Sequence, residues 1–193
     1  MNFVIRPRPT KGFTLVELMI TVTILAVLAV VAVTSYKRYM YRAQASEGKD
    51  ILMEVKMKQE HYFSTYSQYV TSGSESALYP KENALGQGGK QIKNMWSWRG
   101  LSCSSGSTLP DLAWCHLGFK ANREGFFRVS TVGWSRGSST KPSGSAHPFV
   151  QKMDASKRWY YAFAHADLDA DGKYSTFVIT SQSPAIVSED EIE

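Results

Sequence analysis

A single carboxylate, Glu17, interrupts an apolar segment that runs from Phe13 to about Val33. The segment has the roughly 20 residues that a helix needs to cross the hydrocarbon core of a bilayer. A carboxylate costs on the order of 2.5–3.5 kcal/mol at the bilayer centre and less near its edge, so it usually has a partner or a function. Glu17 and the Gly12-Phe13 junction before it are therefore the first candidates for a functional site.

A second candidate is a row of carboxylates at alternate positions, Asp167, Asp169 and Asp171, followed by Gly172. Oxygen ligands at this spacing before a glycine are typical of calcium loops. The acid that closes such a loop is replaced here by Val178, so the loop is incomplete. The pattern favours a hairpin turn in which Asp-Gly tolerates positive φ, and a calcium site is the alternative.

The chain has two cysteines, Cys103 and Cys115. A close pair in a domain that a membrane segment places outside the cytoplasm predicts a disulfide; the alternative is two unrelated buried thiols. The bond would stabilise the fold by roughly 3 kcal/mol in the chain-entropy model. His116 beside Cys115 makes neither a zinc site nor a nucleophile–base pair without further ligands.

Several of the usual enzyme signatures are absent from the sequence. It contains no H-E-x-x-H motif, phosphate-binding glycine loop or cysteine quartet. The histidines are scattered along the chain: His61, His116, His147 and His165. We therefore expect a protein that is not an enzyme and has no cofactor. A membrane-anchored periplasmic enzyme is the alternative that the missing catalytic residues disfavour.

The apolar segment continues into an amphipathic pattern. From Thr34 to Tyr62, apolar residues recur at three- and four-residue spacing between charged ones, which is the periodicity of a helix with one apolar stripe. We expect one helix from Phe13 to about Tyr62, apolar all round in its first half. Gly48 is a weak point in this helix and is interpreted as a bend.

The distal part of the chain predicts a sheet. Ser64 to Gly100 has the composition of a long loop, with Trp96 and Trp98 as packing anchors or a binding patch. Stretches rich in β-branched and aromatic residues predict strands at 114–119, 126–132, 158–164 and 174–180. Ser135–Pro148 is an insertion, and the acidic tail Ser188–Glu193 is expected to fray. Because the predicted helix comes first in the sequence and the predicted strands follow it, we expect an α+β fold, with the long N-terminal helix packed on a small antiparallel sheet.

Two ordinary interpretations of the N-terminus fit poorly. A secretory signal peptide cut near Val30–Ala32 would not have so long an apolar run or a glutamate, and no A-x-A site is evident. A plain membrane anchor explains the length but neither Glu17 nor the Gly12-Phe13 junction. Basic residues flank both sides of the segment almost evenly, so the positive-inside rule does not decide its orientation.

The stretch Lys11-Gly12-Phe13-Thr14-Leu15-Val16-Glu17-Leu18 resembles the processing site of the type IV pilin family. It has the basic residue, the glycine, the phenylalanine and the glutamate five positions after the glycine. The resemblance extends through Tyr36, Tyr39 and Arg42–Glu47 and covers roughly the first third of the chain.

The resemblance implies three parts: a leader, 1–12, that is removed; a transmembrane and filament-core helix, 13–34; and a globular domain, 35–193. A prepilin peptidase would cut between Gly12 and Phe13 and N-methylate Phe13. The precursor would lie in the inner membrane with its N-terminus in the cytoplasm and its globular domain in the periplasm. Inner-membrane assembly machinery would then move it from lipid into an extracellular filament of other pilin subunits.

In that filament, the resemblance implies that Glu17 neutralises the amino group of a neighbouring Phe13, because an unpaired charge in an apolar core is strongly unfavourable. The filament would serve adhesion, motility or DNA uptake. The alternatives are a pseudopilin of a type II secretion system, or a minor pilin that binds DNA or a surface through the Trp96/Trp98 loop or the 135–148 insertion. The chain departs from the family pattern at Thr34, where many members have proline, and in its mid-chain cysteines.

Overall fold

A computed structural model of the chain describes residues 12–80, 101–120, 125–134, 147–168 and 173–189. The chain divides into two compact units, 1–40 and 41–193. The helix α1 begins in the first unit, and its C-terminal part belongs to the second. The elements follow in the order α1 (Leu15–Tyr66), α2 (Leu109–Leu117), β1 (Arg128–Gly133), α3 (Pro148–Gln151), β2 (Tyr160–Ala166), β3 (Ser175–Thr180) and β4 (Ser183–Glu189).

The strands form one antiparallel sheet in the order β1-β2-β3-β4. Each strand pairs with the next one along the chain, with Val129 opposite Ala164, Phe163 opposite Val178 and Val178 opposite Val187. The predicted α+β fold, with a long N-terminal helix and an antiparallel sheet, is confirmed. Three of the predicted strands are present within about two residues of their expected bounds.

The second half of α1 buries one stripe against one face of the sheet. Its buried residues are Ala45, Gly48, Leu52, Val55 and Gln59, at the three- and four-residue spacing of a helix face. The core on this side also contains alternate residues of the strands: Val129, Ala162, Ala164, Phe177 and Ile179. Full burial of a side chain such as Leu52 or Val55 contributes about 1.5–3 kcal/mol to stability.

The opposite face of the sheet is also covered. Val150 of α3, Met153 and Trp159 pack there on Tyr161, Phe163 and Val178. Because side chains alternate across a strand, Tyr161 and Phe163 face this cluster while Ala162 and Ala164 face α1. Both faces of β2 are thereby removed from water, which explains why its sequence is apolar and aromatic except at His165.

The segment 69–79 covers the outer edge of β1. Tyr69 N–H donates to Trp134 O at 2.9 Å, and Tyr79 exchanges backbone hydrogen bonds with Val129 at 2.7 Å. The fully buried Gln59 holds this segment to α1: its Nε2 donates to Val70 O and to Thr131 Oγ1, both at 2.8 Å, and its Oε1 accepts from Val70 N–H at 2.9 Å. These three hydrogen bonds compensate for the free energy lost when the side-chain amide of Gln59 is removed from water.

The predicted strand at 114–119 is wrong, because Trp114 to Leu117 lie in α2. Pro110 occupies the first turn of this helix, and Gly118 ends it with a left-handed φ of 59°, which are the residues that favour a helix start and stop. Ala113, Trp114 and Leu117 are buried at helical spacing. The aromatic and apolar content of this stretch reflects burial and not β structure.

Two elements were not predicted. The short helix α3 lies at the end of the predicted 135–148 insertion, and β4 includes Ser188 and Glu189 of the tail that we expected to fray. Strand β4 has a largely exposed pattern without clear apolar alternation, so its sequence carries little strand signal. Strand β4 is identified in the structure by its antiparallel pairing with β3.

Gly48 is a packing position. The helix α1 is continuous through it, and a Cβ at Gly48 would lie 2.7 Å from Cε1 of Phe127. Real Cβ atoms do not approach a carbon so closely, and Phe127 is itself almost fully buried. The absence of a side chain at residue 48 therefore lets the helix lie directly against the Phe127 ring.

We expect Gly48→Ala to destabilise the protein by about 1–3 kcal/mol, because overpacking outweighs the gain of about 1 kcal/mol in helix propensity. Urea unfolding of the full chain in detergent measures this change. Phe127→Leu is the matched control, since the double variant should lose less stability than the sum of the two single variants. A Gly48→Ala protein as stable as the wild type would contradict the packing role.

Candidate functional site

The N-terminus of α1 has a reciprocal hydrogen-bond arrangement between Thr14 and Glu17. Thr14 Oγ1 accepts from the Glu17 N–H at 3.2 Å, while Glu17 Oε2 accepts from the Thr14 N–H at 3.3 Å and from its hydroxyl at 3.2 Å. This is a capping box, in which Thr14 is the N-cap residue and Glu17 the third helical residue. Negative charge is also favoured at this position by the helix dipole.

The sequence analysis missed this arrangement. The signal was present as Thr14-x-x-Glu17 immediately before an apolar run, which is a pattern typical of a helix start. Glu17 therefore has a local structural role in the isolated chain. Its other oxygen, Oε1, accepts no hydrogen bond from any residue in the described part of the chain.

The first part of α1 presents apolar side chains on all sides. An 18-residue window of the helix is apolar enough to cross a membrane, and none of it is buried within the chain. Core helices of soluble proteins and signal sequences pass the same test of length and composition. Here the side chains are exposed, with Phe13 at 80% and Leu15 at 74%. A surface of this kind requires an apolar environment or a partner.

The threonines in this segment do not weaken its apolar character. Thr21 and Thr23 donate their hydroxyl groups to Leu18 O at 2.8 Å and to Met19 O at 2.7 Å. Thr34 donates to Val31 O at 3.0 Å and lies inside the continuous helix. Each hydroxyl is satisfied by the helix itself.

The predicted site residues fall into two groups. Gly12, Phe13 and Glu17 lie together at the start of α1, and both Gly12 and Phe13 are exposed. Cys103 and Cys115 form the predicted disulfide, with Cα atoms 5.7 Å apart, and it ties the segment before α2 to that helix. The two groups belong to different compact units.

The calcium hypothesis is tested only in part. Asp167 is described, but Asp169, Asp171 and Gly172 lie outside the described residues. The antiparallel pairing of β2 with β3 confirms the hairpin that we favoured there. Among the described residues, no group of three His, Cys, Asp or Glu side chains is arranged to hold a metal ion. Trp96, Trp98 and residues 135–146 also lie outside the described part.

Comparison with known proteins bears directly on the start of α1. The family described as the prokaryotic N-terminal methylation motif matches residues 7–33, which contain Gly12, Phe13 and Glu17. The chain is 34% identical over 71 residues to the type IV major pilin protein PilA of Myxococcus xanthus. Over part of its length, including the methylation motif, the chain is similar to type IV pilins.

Other relatives carry the same kind of name. The chain is 46% identical over 48 residues to the type IV major fimbrial protein FimA of Dichelobacter nodosus and 31% identical over 83 residues to the type IV major pilin protein PilE of Neisseria gonorrhoeae. These matches cover 37%, 25% and 43% of this chain for PilA, FimA and PilE. The chain spans only 32%, 30% and 50% of the lengths of these relatives. No solved structure matches the chain significantly.

The pilin matches cover less than half of the chain, and the sheet is interpreted from its own contacts. One such feature is His165 on β2, whose Nδ1 lies 3.0 Å from Thr176 Oγ1. Burial, together with electrostatic repulsion by the nearby Arg128 and by His147, lowers the pKa of His165 to about 4. The imidazole is thus neutral in the folded domain at neutral pH.

This lowered pKa predicts a loss of stability in acid. An unfolded His has a pKa of about 6.5, so below that pH the unfolded chain binds a proton that folded His165 does not bind until about pH 4. The free energy of unfolding should fall as the pH drops from 6.5 to 4, by up to about 1.4 kcal/mol per pH unit from this group. Urea titrations across this range measure the slope.

His165→Gln should remove much of that slope, whereas His61→Gln, at an exposed position, should keep it. Equal slopes in the wild type and in His165→Gln would show that His165 is not responsible.

Proposed function

We propose that this chain is a structural subunit of a type IV pilus, polymerised through its N-terminal helix. The observation that carries the proposal is the match of residues 7–33 to the methylation motif, with Glu17 at the start of an exposed apolar helix. In this proposal the prepilin peptidase cleaves between Gly12 and Phe13 and methylates the new amino group. Inner-membrane assembly machinery then handles the subunit.

The apolar part of α1 meets two environments in this function. It first spans the inner membrane, because its length matches the hydrocarbon core. The resemblance to pilins implies that residues before Gly12 are in the cytoplasm and the sheet is in the periplasm. The apolar part of α1 then packs against the same segment of other subunits in an extracellular filament. Both environments keep water away from side chains that have no partner within the described part of this chain.

The Glu17 side chain can keep the same conformation in the membrane and in the filament. Oε2 is held by Thr14, which leaves Oε1 to accept from the amino group of a neighbouring Phe13. Opposite charges in an apolar core are tolerated only when they are paired, so the contact acts on subunit register more than on net stability. Cleavage after Gly12 is needed to create that amino group.

The first prediction concerns processing. Intact mass and N-terminal sequencing of the protein from its native membrane should show a chain that begins with N-methylated Phe13. Gly12→Glu should retain the leader, because the peptidase would meet a bulky charged residue at the cleavage site. A mature chain that keeps Met1, or one that begins near Thr34, would exclude the pilin processing that we propose.

The second prediction separates the two roles of Glu17. Glu17→Gln keeps an oxygen acceptor for the capping box but removes the charge, whereas Thr14→Val removes the capping hydroxyl but keeps the charge. If the charge pair controls assembly, Glu17→Gln should be processed normally and should reduce the yield of sheared surface filaments at least about tenfold, an effect expected when one buried partner is lost.

Thr14→Val is the matched control and should retain most of the filament yield. The opposite result, with Glu17→Gln filaments at the wild-type level and Thr14→Val filaments lost, would mean that helix capping is the function of this pair.

A further inference from the structure

Arg158 precedes β2, and its guanidinium lies between two aromatic rings. Its Cζ is 5.4 Å from the ring centroid of Phe63 and 5.3 Å from that of Trp134. Arg158 is exposed, and its side chain forms no ion pair or hydrogen bond with another residue in the described part of the chain. The neighbouring Lys157, by contrast, lies 3.9 Å from Asp154. We call Phe63, Trp134 and Arg158 the Arg158 platform.

The two rings hold the guanidinium in a fixed orientation. Phe63 stacks on the buried Tyr69, with ring centroids 4.5 Å apart, and Trp134 packs on the cluster that covers the face of the sheet opposite α1. Glu60 accepts from the Tyr69 hydroxyl at 3.5 Å and does not pair with Arg158. The donors of a guanidinium form a rigid fork that matches both oxygens of a carboxylate. The platform is therefore prepared to bind a carboxylate.

The exposed side of α1 carries carboxylates of this kind. Asp50, Glu54 and Met57 follow one another at the four- and three-residue spacing of one helix side, and all three are exposed. Neither carboxylate forms an ion pair or a side-chain hydrogen bond with another described residue. Lys58, four residues after Glu54, donates instead to Gly118 O at 3.1 Å. We call Asp50, Glu54 and Met57 the outer face of α1.

The other lysines in this half of α1 are also directed towards the rest of the second unit. Lys56 Nζ donates to Ser183 O at 3.3 Å, and Lys49 Nζ lies 5.3 Å from the ring centroid of Phe177. These positive charges lie at the margins of the buried stripe. The outer face is thereby left with negative charge, which is complementary to the Arg158 platform.

Within one chain, the outer face and the platform do not meet. Glu54 is nine residues before Phe63 along α1, a separation of about 14 Å and about two and a half turns. The half turn places these two side chains on opposite sides of the helix, and Asp50 lies about 6 Å further away along the axis. An ion pair between Arg158 and these carboxylates therefore joins two different copies of the chain.

We propose that the outer face of α1 in one copy binds the Arg158 platform of a neighbouring copy, with Asp50 and Glu54 paired to Arg158. The charges are complementary, and Met57 adds a flexible apolar side chain that suits the edges of aromatic rings. Every copy carries both surfaces. Because the two surfaces differ, the contact is heterologous and extends into an open filament unless a rotation closes it into a ring. The proposal deepens the pilus function and rests on it for its biological setting.

Site-specific photo-crosslinking in the full chain locates the contact. Met57, which is 67% exposed, is replaced by p-benzoylphenylalanine, cells are irradiated, and crosslinked dimers are analysed by mass spectrometry. The expected product joins position 57 to residues 152–159, or to Trp134, of a second copy. The control carries the same photoreactive residue at Tyr174, which is 52% exposed and precedes β3 at the other end of the sheet, and should not give this product. Dimers joined only elsewhere, or no dimers, would overturn the proposal.

Charge reversal tests the energetics. Arg158→Glu should lower the yield of surface filaments about tenfold, and so should the combined variant D50K/E54K, because like charges would then face each other across the contact. Joining both sets in one chain should restore the yield to within about threefold of the wild type. Arg158→Lys keeps the charge but not the planar fork and should retain more filaments than Arg158→Glu.

Lys157→Glu is the matched control: it makes the same change in charge beside the platform and should lower the yield less than about twofold. A combined variant that yields no more filaments than Arg158→Glu alone would contradict a direct pairing of these charges.

The outcomes separate this contact from the pilus function. Wild-type surface filaments that are insensitive to Arg158→Glu, with no crosslink from position 57 to the platform, would exclude the contact and leave the pilus function intact. If cells with this chain form no filaments, crosslinked dimers of the expected kind in the membrane would support the contact and exclude the pilus function, and their absence would overturn both. Retention of the Cys103–Cys115 disulfide in each variant shows that the domain has folded.

Discussion

The close approach of α1 to the sheet is the constraint on which the rest of the second unit depends. Gly48 has no side chain where Phe127 fills the space, and the facing positions of β2 are alanines, Ala162 and Ala164. Since interiors are packed as densely as crystals, these small residues determine how near the helix lies. Gln59 then fastens the same helix to β1 and to the segment beside it through three short hydrogen bonds.

The two halves of α1 differ in how their apolar side chains are buried and how their polar groups are hydrogen-bonded. In the second half, one stripe is buried by the sheet, and lysines at its margins reach backbone carbonyls, as Lys58 does with Gly118 O at 3.1 Å. In the first half, polar groups are satisfied within the helix, by the Thr14–Glu17 capping box and by threonine hydroxyls. None of the described residues of the chain covers its apolar surface, and contact with an apolar environment would lower the free energy of such a surface.

The predictions that held were those that depend on neighbouring residues in the sequence. The helix followed from its 3.6-residue period, the disulfide from two close cysteines, and the β2–β3 hairpin from two predicted strands on either side of the Asp-Gly sequence. The prediction of a strand at Trp114 was wrong because it gave more weight to the apolar composition than to Pro110 and Gly118, which mark the start and the end of a helix. The capping box was missed because Glu17 was considered only as a buried charge, although Thr14 lies three residues before it.

By itself, the sequence determined the long helix, its membrane-type apolar segment, the pilin motif around Gly12 and Phe13, and most of the antiparallel strands. Periodicity, composition and short motifs are local properties, and a single chain displays them before it folds. Only the tertiary structure decided that Gly48 is a contact point, that His165 is neutral, and that Arg158 lies between the rings of Phe63 and Trp134. Those three residues are far apart in sequence, and the same pattern of residue types is compatible with many other pairings. Their meeting depends on which helix face and which strand register the packed core selects.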